Sequence, residues 1–143
     1  MVDIRTFPRG DVVTADPDTT ASDLASRMAE ESVGSIVIVE DDRPVGIVTD
    51  RDLTVEVLAA GEDPSSVTAE NVMTEDPVTA DAEAGIFEVL SRMEEAEVRR
   101  IPAVDEDGTV VAIVSYDDFV ALFGREVAKL GNIAEAESPS YEE

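Results

Sequence analysis

The alternation of apolar and polar positions divides the chain into short elements. In the first half it predicts a strand over 12–14, a helix from 21 to about 32, strands over 36–39 and 45–48, and a helix over about 50–60. Leu24 and Met28 recur at helical spacing, and Thr20 with Asp23 forms the pattern of a capping box at the start of that helix. The apolar runs on either side of Glu40–Pro44 are typical of a buried hairpin.

The second half repeats these elements. It predicts a strand over 78–80, a helix over 86–97, strands over 101–104 and 110–114, and a helix from about 116 to Phe123 or Lys129. At an offset of 65, twelve of the 30 positions in 13–42 are identical to those in 78–107, and after one inserted residue 46–53 aligns with 112–119. Two copies of about 60 residues predict a pseudo-symmetric pair of units and not a solenoid.

Each half therefore has the order strand, helix, strand, strand, helix. This order predicts an α/β (α+β) protein built from two βαββα units, and 143 residues suffice to bury a core without disulfides. The expected bounds are 1–62 for the first unit, 63–76 for a linker with a short helix, 77–130 for the second unit and 131–143 for an acidic, disordered tail. Pro64, Ser65 and Ser66 give the linker a hinge-like composition.

Each half ends its last strand in a related motif, GIVTDRDL in the first and AIVSYDDF in the second. In both, a hydroxyl residue, Thr49 or Ser115, precedes an aspartate by three positions. The free amides of a helix start attract anions, and an aspartate one turn later can accept hydrogen bonds from a sugar diol. The same spacing is that of a capping pair, worth about 1 kcal/mol. Ribose binding and capping are compatible interpretations of Asp52 and Asp118.

The charge is strongly negative: 34 Asp and Glu stand against 10 Lys and Arg, and Lys129 is the only lysine. A formal net charge of −24 argues against nucleic acids and anionic membranes as partners, because both are bound through lysine and arginine. Acidity with so few lysines favours a halophilic origin, in which concentrated cations screen the carboxylates; an ordinary acidic protein is the alternative. For a halophilic chain we expect partial unfolding at low salt.

The chain contains neither cysteine nor histidine, so it lacks the strongest neutral-pH nucleophile and the commonest general base. It has no P-loop and no GxGxxG motif, and its acidic runs at 40–42 and 105–107 fall in turns, where we interpret them as solvated surface. We therefore expect no enzymatic activity, no cofactor and no dedicated metal site, apart from Mg²⁺ carried by a bound ATP. No apolar stretch spans a bilayer and no signal peptide is evident, so we expect a cytoplasmic protein.

Taken together, these segments resemble a tandem pair of CBS domains, the family named for cystathionine β-synthase. The resemblance covers about residues 10–123 and rests on VVTADPDTTASDLASRM, VGSIVIVED and GIVTDRDL and on their echoes ENVMTEDPVTAD, VRRIPAVDEDG and AIVSYDDF. It implies two βαββα units packed sheet to sheet as one Bateman module. It also implies two clefts between the units that bind adenosine-type ligands, a class that includes AMP, ADP, ATP and S-adenosylmethionine.

The resemblance implies roles for individual residues. Asp52 and Asp118 would hold ribose hydroxyls. Their partners Thr49 and Ser115 would face ribose or phosphate. The other residues implied are Ile47 and Ile113 against adenine, Asp16, Gly34 and Ser35 beside the Ser115–Asp118 motif, and Asp81, Val98 and Arg99 beside the Thr49–Asp52 motif.

Positive charge for a phosphate is limited to a few arginines. Arg99 and Arg100 precede a strand, where the family often carries a residue that faces phosphate, and Arg51 lies inside the first motif. Arginine can bind phosphate through two hydrogen bonds, although these arginines could instead neutralise nearby acids. Because the first half has Gly34 and Ser35 at the equivalent positions, the two clefts are expected to differ in phosphate capacity.

The second motif departs from the family pattern at two positions. Ala112 replaces the usual glycine, and Tyr116 stands where the first motif has Asp50. Tyr116 could cover a base or pack against its own helix. We expect the two clefts to bind a ligand with unequal affinities, and in the extreme case only one cleft is occupied.

Two hypotheses follow. In the first, the chain is a stand-alone regulatory module that binds an adenosyl ligand and signals to an unidentified protein by conformational or dimer rearrangement. In the second, it is a dimerisation or partner-docking module whose nucleotide site is vestigial. We expect a homodimer in which the apolar face comprises Leu53, Val57, Leu58, Phe119, Leu122 and Phe123, with core burial as the competing explanation of these residues.

Overall fold

The structure is a computed structural model that describes residues 12–137. Its first half contains strand β1 (Thr14–Ala15), helix α1 (Ala21–Glu31), strands β2 (Ser35–Glu40) and β3 (Arg43–Thr49), and helix α2 (Asp50–Asp52), which continues as a π-helix over Leu53–Ala59. Helix α3 (Ala69–Val72) and strand β4 (Thr74–Glu75) lie between the halves. The second half contains β5 (Ala80–Asp81), α4 (Ile86–Ala96), β6 (Arg100–Val104), β7 (Val110–Ser115) and α5 (Tyr116–Glu137).

The strands form two sheets of matching topology. One has the order β1-β2-β3-β4 and the other the order β5-β6-β7. In each sheet the first strand is parallel to the second, and the second and third form an antiparallel hairpin. Both hairpins are irregular at the matching step, Ile38/Val39 and Ala103/Val104. The predicted repeat, the α/β class and the βαββα order are thereby confirmed.

Each half has its own hydrophobic core between sheet and helices. Leu24 of α1 and Ile36 of β2 are fully buried in the first core. Val89 and Ile101 occupy the matching places in the second core. Burial of a side chain of this size contributes about 1.5–3 kcal/mol, so the predicted apolar pattern marks the residues that hold each half together.

A third, smaller cluster joins the two sheets face to face. Val37 and Val39 point away from the first core and pack with Val110 of β7, and the partly buried Ile113 lies against them. Val110 also donates its N–H to the carbonyl oxygen of Asp42 at 3.0 Å. The two units are therefore packed sheet to sheet, as the resemblance implies.

The linker packs on the first half. Ala21 donates its N–H to the carbonyl oxygen of Val67 at 2.8 Å, and Ala69 donates to the carbonyl oxygen of Thr19 at 2.8 Å. Ala69 is also completely buried in the first core. The hinge-like composition does not produce a hinge here, because backbone hydrogen bonds and apolar burial fix the segment.

Strand β4 adds a fourth strand to the first sheet, next to β3. It is antiparallel to β3 and places Thr74 opposite Ile47. A Cβ built on the neighbouring Gly46 would lie 2.7 Å from the Cγ of Met73, so a side chain there would displace Met73. The second half has Ala112 at the matching position.

Helix α5 is longer than the sequence predicts. It continues to Glu137, so 131–137 is helical where a disordered tail is expected. Alanine and glutamate, which favour helices, make up much of this stretch. The rest of the expected tail, 138–143, and the first eleven residues of the first unit lie outside the described residues. Within the described part of the chain, no helix is long and apolar enough to cross a membrane.

The six apolar residues expected at a dimer face divide between core and surface. Val57, Phe119 and Leu122 are buried in the two cores, which is the competing explanation. The others are Leu53 and Phe123, which are partly buried against those cores, and Leu58, which is 77% exposed.

Candidate ligand cleft

Reciprocal hydrogen bonds hold the strand-to-helix corner of the first half. Thr49 N–H donates to Asp52 Oδ2 at 2.8 Å, and Asp52 N–H donates to Thr49 Oγ1 at 3.2 Å. This arrangement is a capping box, in which side chains satisfy two amides at the helix start. Thr49 and Asp52 therefore cap the helix, as one of the two interpretations of their spacing predicts.

The corner of the second half has the same bonds. Ser115 N–H donates to Asp118 Oδ2 at 2.8 Å, and Asp118 N–H donates to Ser115 Oγ at 3.3 Å. No residue in 12–137 donates a hydrogen bond to Oδ1 of Asp52 or Asp118. Capping thus occupies one oxygen of each carboxylate and leaves the other for a ligand hydroxyl.

The first corner is attached to the start of β2. Asp50 N–H donates to the carbonyl oxygen of Gly34 at 3.0 Å. In the ladder, Ser35 lies opposite Thr49. The backbone therefore fixes positions 34 and 35 next to the first motif.

The second corner is attached to the start of β6 in the same way. Tyr116 N–H donates to the carbonyl oxygen of Arg99 at 2.7 Å. Arg100 lies opposite Ser115 in the ladder. Positions 34 and 35 of the first half therefore occupy the same places in the fold as positions 99 and 100 of the second, as the repeat predicts.

A cleft of about 560 Å³ opens where the two corners meet, a volume within the range of small-molecule sites. It is lined by Ile47, Thr49, Asp50, Arg51 and Asp52 from the first half, by Thr74, Asp76, Pro77 and Val78 from the segment that includes β4, and by Val98, Arg99, Arg100, Ser115, Tyr116 and Asp117 from the second half. Both halves and the segment between them contribute to one site.

Most of the predicted site residues meet at this cleft. The structure brings Thr49 and Asp52 together with Val98 and Arg99, two of the three residues that the resemblance implies beside them. Ile47, Arg51, Arg100 and Ser115 line the same cleft.

Gly34 lies at the edge of the cleft. A Cβ built on it would lie 3.2 Å from Asp50 Oδ2 and 3.5 Å from Arg100 Nη2, so Gly34 leaves space in which these two side chains approach. Three other predicted residues are close without lining the cleft: Ser35 pairs with Thr49, Ile113 packs between the sheets, and Asp118 caps α5.

Asp16 and Asp81 lie at the far end of their sheets. Because β1 runs parallel to β2, the chain after β1 emerges beside the β2–β3 turn, where Asp16 lines a small acidic cavity with Glu40 and Asp41. Asp81 lies in the matching acidic cavity beside Asp105. About 15 Å of β2 separates this end from the Thr49 corner. The structure therefore does not bring either aspartate to the motif with which the resemblance associates it.

Several lining residues were absent from the predicted set. The chain near β4 reaches the cleft because Thr74 pairs with Ile47. A two-residue strand gives no periodicity from which this pairing could be predicted. Asp50, Tyr116 and Asp117 could have been included, since they lie within the two motifs.

Among residues 12–137, no acid forms an ion pair with the arginines of the cleft. The ion pair that forms within residues 12–137 joins Lys129 to Glu126 at 2.8 Å, and no carboxylate in that range lies within 4.0 Å of Arg51, Arg99 or Arg100. The guanidinium of Arg99 lies over the ring of Tyr116, 5.2 Å from its centroid. These positive charges are therefore available to an anionic ligand.

Apolar groups form another part of the wall. Val78, Val98 and Tyr116 line the cleft and are 38%, 36% and 47% exposed. Ile47, which also lines the cleft, is buried. A flat heterocycle would cover apolar surface here that otherwise faces water.

A metal centre is not evident in the described part of the chain, where no three acidic residues are arranged to hold an ion. Cysteine and histidine, which zinc commonly requires, are absent from the whole sequence.

Comparison with curated proteins reveals related chains. Protein MK0525 of Methanopyrus kandleri is 36% identical over 120 residues, which are 83% of this chain and 61% of that protein. Hypoxic response protein 1 of Mycobacterium tuberculosis is 35% identical over 118 residues, which are 82% of each protein. This chain thus spans slightly less than two thirds of the first relative and most of the second.

Solved structures share the fold. The crystal structure of hypoxic response protein 1 with two coordinated zinc ions has a TM-score of 0.71 and 34% identity, and covers 85% of this chain and 98% of its own. The CBS domain pair of protein MJ0100, in complex with 5′-methylthioadenosine and S-adenosylmethionine, has a TM-score of 0.76 at 24% identity over 88% of this chain and 98% of its own. The CBS domain model matches residues 3–59 and again 69–125, so the protein belongs to the CBS domain family and carries two of these domains in tandem.

Proposed function

We propose that this chain is a regulatory module that binds an adenosine-type ligand in the cleft between its two CBS domains. AMP, ADP, ATP and S-adenosylmethionine are the candidates. One observation carries the proposal: the cleft combines the Thr49–Asp52 corner with Arg51, Arg99 and Arg100, none of which is paired with an acid from residues 12–137.

The chemistry of the cleft suits the parts of such a ligand. Asp52 Oδ1 can accept a hydrogen bond from a ribose hydroxyl while Oδ2 continues to cap the helix. The arginines can bind phosphate through charge-assisted hydrogen bonds. The apolar wall that includes Val78 and Val98 suits an adenine ring.

Signalling would follow from the way the cleft is built. Its lining comes from both halves, so a ligand that contacts both favours the arrangement in which they are correctly spaced. A ligand shifts a conformational equilibrium by its difference in affinity for the two states. A change in the spacing of the halves, or in a homodimer, would carry the signal to a regulated protein.

Proteins of the same fold with adenosyl ligands support the ligand class. The CBS domain protein PAE2072 of Pyrobaculum aerophilum is complexed with AMP, and the MJ0100 pair holds 5′-methylthioadenosine and S-adenosylmethionine. Their sequence identities of 22% and 24% are too low to transfer one ligand. The arginines of this cleft favour the phosphate-bearing candidates.

Titration of the protein with each candidate ligand tests the proposal. Binding should raise the melting temperature and release heat in calorimetry, and Asp52→Asn should abolish both responses. Asp118→Asn is the matched control, because Asp118 makes the same capping bond but does not line the cleft. The proposal fails if none of the four ligands binds, or if Asp52→Asn binds as the unaltered protein does.

A docking module with a vestigial nucleotide site is the second candidate. It is favoured by the apolar surface on the helices of the second half, where Phe87, Val127 and Leu130 are 68%, 65% and 66% exposed. Exposed apolar area of this kind marks interaction surfaces. Under this candidate the four titrations would give no response while the protein still self-associates or binds a partner.

We also propose adaptation to high salt. Support comes from the scarcity of ion pairs: within residues 12–137 a single pair forms, in a chain of formal charge −24. Mutual repulsion of unpaired carboxylates is screened by salt. The melting temperature should rise from low to molar KCl, and a melting temperature independent of KCl would contradict the adaptation.

A further inference from the structure

Arg99 and Tyr116 form a pair at the second corner. The Tyr116 N–H donates to the carbonyl oxygen of Arg99 at 2.7 Å, and the Arg99 guanidinium lies over the Tyr116 ring, 5.2 Å from its centroid. Both residues line the cleft, and Tyr116 is 47% exposed there. The tyrosine ring therefore supports an arginine side chain in the wall of the cleft.

The first half shows where a different residue in the place of Tyr116 would lie. Asp50 occupies that place and Gly34 occupies the place of Arg99, with the same backbone hydrogen bond at 3.0 Å. The Asp50 side chain lies over position 34, because a Cβ built on Gly34 would be 3.2 Å from Asp50 Oδ2. The backbone of each corner therefore directs this side chain, whether aspartate or tyrosine, toward the residue that accepts its N–H.

A carboxylate at position 116 would neutralise Arg99. An aspartate there would point at the guanidinium, and carboxylates form strong, often bidentate, ion pairs with arginine. The tyrosine ring instead attracts the cation through its π-face and carries no charge. Contact with a ring face also uses none of the N–H donors of the guanidinium. Tyr116 therefore holds Arg99 in place without cancelling its charge.

A neutral support matters because acids dominate the surroundings. Three arginines line the cleft together with four aspartates, which are Asp50, Asp52, Asp76 and Asp117. The whole chain has a formal charge of −24. An anionic ligand is therefore attracted only where arginine charge is left unpaired, and one more carboxylate beside Arg99 would favour a cationic ligand instead.

We propose that Tyr116 determines which adenosyl ligand the cleft prefers, because it keeps the charge of Arg99 available to a phosphate. This role rests on the proposed binding of an adenosyl ligand in the cleft. ADP and ATP carry phosphates that the arginine can bind, whereas S-adenosylmethionine carries a positively charged sulfonium. Tyr116 is a positioning residue that acts on the ligand through Arg99, and it shifts the preference toward phosphate.

Substitutions at position 116 test this role in calorimetric titrations with ADP and with S-adenosylmethionine at one salt concentration. Tyr116→Asp, which gives the second half the residue of the first, should weaken ADP binding about tenfold or more and should not weaken S-adenosylmethionine binding. Tyr116→Leu should weaken ADP binding about two- to fivefold, the size of an exposed cation–π contact. Tyr116→Phe keeps the ring and should bind ADP as tightly as the unaltered protein.

Two controls separate the support of Arg99 from other effects. Val120→Asp adds the same charge at an exposed position of α5 outside the cleft, and it should leave the ratio of the two affinities unchanged. In an Arg99→Ser background, Tyr116→Leu should have no further effect on ADP binding, because a residue that acts through Arg99 needs it. A further loss in that background, equal for ADP and S-adenosylmethionine, would mean that Tyr116 covers the base and would overturn the proposal.

Tripolyphosphate, which has no nucleoside, separates this role from the proposed function. If it binds and Tyr116→Asp weakens it, while ADP does not bind, the support of Arg99 by Tyr116 stands and the adenosyl function fails. If ADP binds equally to the unaltered protein and to Tyr116→Asp, or more tightly to Tyr116→Leu, the role of Tyr116 is overturned and the adenosyl function stands. Binding of neither probe would overturn both.

Discussion

The two strand-to-helix corners have the same backbone and different surroundings. Thr49 with Asp52 and Ser115 with Asp118 form capping boxes whose bonds agree within 0.1 Å, at 2.8 and 3.2 Å in the first and 2.8 and 3.3 Å in the second. The strand residue opposite the hydroxyl is Ser35 in one and Arg100 in the other. The repeat has kept the cap and varied the residue beside it.

The difference separates what the fold requires from what a ligand would require. Both helices need their first amides satisfied, so both copies of the cap serve the fold. A cleft needs positive charge only where a phosphate would lie, and Arg99 and Arg100 occur only in the second copy. The shared capping bonds therefore serve the fold in both halves, whereas Arg99 and Arg100, which have no counterpart in the first half, would set the affinity for a phosphate.

The largest effect is expected from removal of Arg100, which has no counterpart in the first half, and it should appear in ligand affinity. Arg100→Ser gives the second half the residue of the first, and the affinity for ADP or ATP should fall about tenfold to a hundredfold, because a hydrogen bond to a charged group contributes about 1.5–3 kcal/mol. Calorimetric titration measures the change. Arg92→Ser is the control, since Arg92 is exposed outside the cleft and its loss changes the net charge equally. Equal losses in both variants would mean that only net charge matters.

A somewhat smaller effect, on the free energy of unfolding, is expected when the residues at the matching positions 46 and 112 are exchanged. Gly46→Ala forces a Cβ against Met73, and overpacking of this kind costs about 1–3 kcal/mol. Ala112→Gly in the other sheet should cost only about 0.5–1 kcal/mol, through backbone entropy. Urea unfolding curves of the two variants measure both losses. A harmless Gly46→Ala would show that Met73 relaxes freely.

The smallest effect is expected from truncating the capping side chain of either corner, and the loss in the free energy of unfolding should be the same for both corners. Thr49→Ala and Ser115→Ala each remove one side-chain acceptor at a helix start, which costs about 1 kcal/mol. Guanidinium unfolding without ligand should give the same loss for both. A loss confined to one variant would mean that the corners are not equivalent in the fold.

Much of the fold could be predicted from the sequence because the repeat confirms each element twice. The apolar runs around Ile36 and Ile101 mark central strands, and the helices that contain Leu24 and Val89 follow from their spacing. The corner motifs were found because each joins a strand end to a helix cap. These features depend on residues that are close to one another along the chain, so they can be recognised from the sequence alone.

Other parts depend on contacts between distant segments. The direction in which β1 pairs decides that Asp16 lies far from the cleft, and strand direction leaves no mark in periodicity. The composition of 64–66 resembles a hinge, yet the buried Ala69 and its hydrogen bond to Thr19 fix the linker. The end of α5 could not be located at Phe123 or Lys129, because Gly124 and Gly131, which follow these positions, lie inside the helix and do not end it.

The small valine cluster between the two larger cores has a consequence for how the protein opens. Segments with their own buried residues tend to unfold as separate cooperative units within the native state. Amide protons of β2 and of β6 should then exchange with solvent through independent openings, each at a free energy below that of global unfolding. A molecule bound across the cleft would join the two openings into one event, and the slowest amides of both halves would then exchange at the same rate.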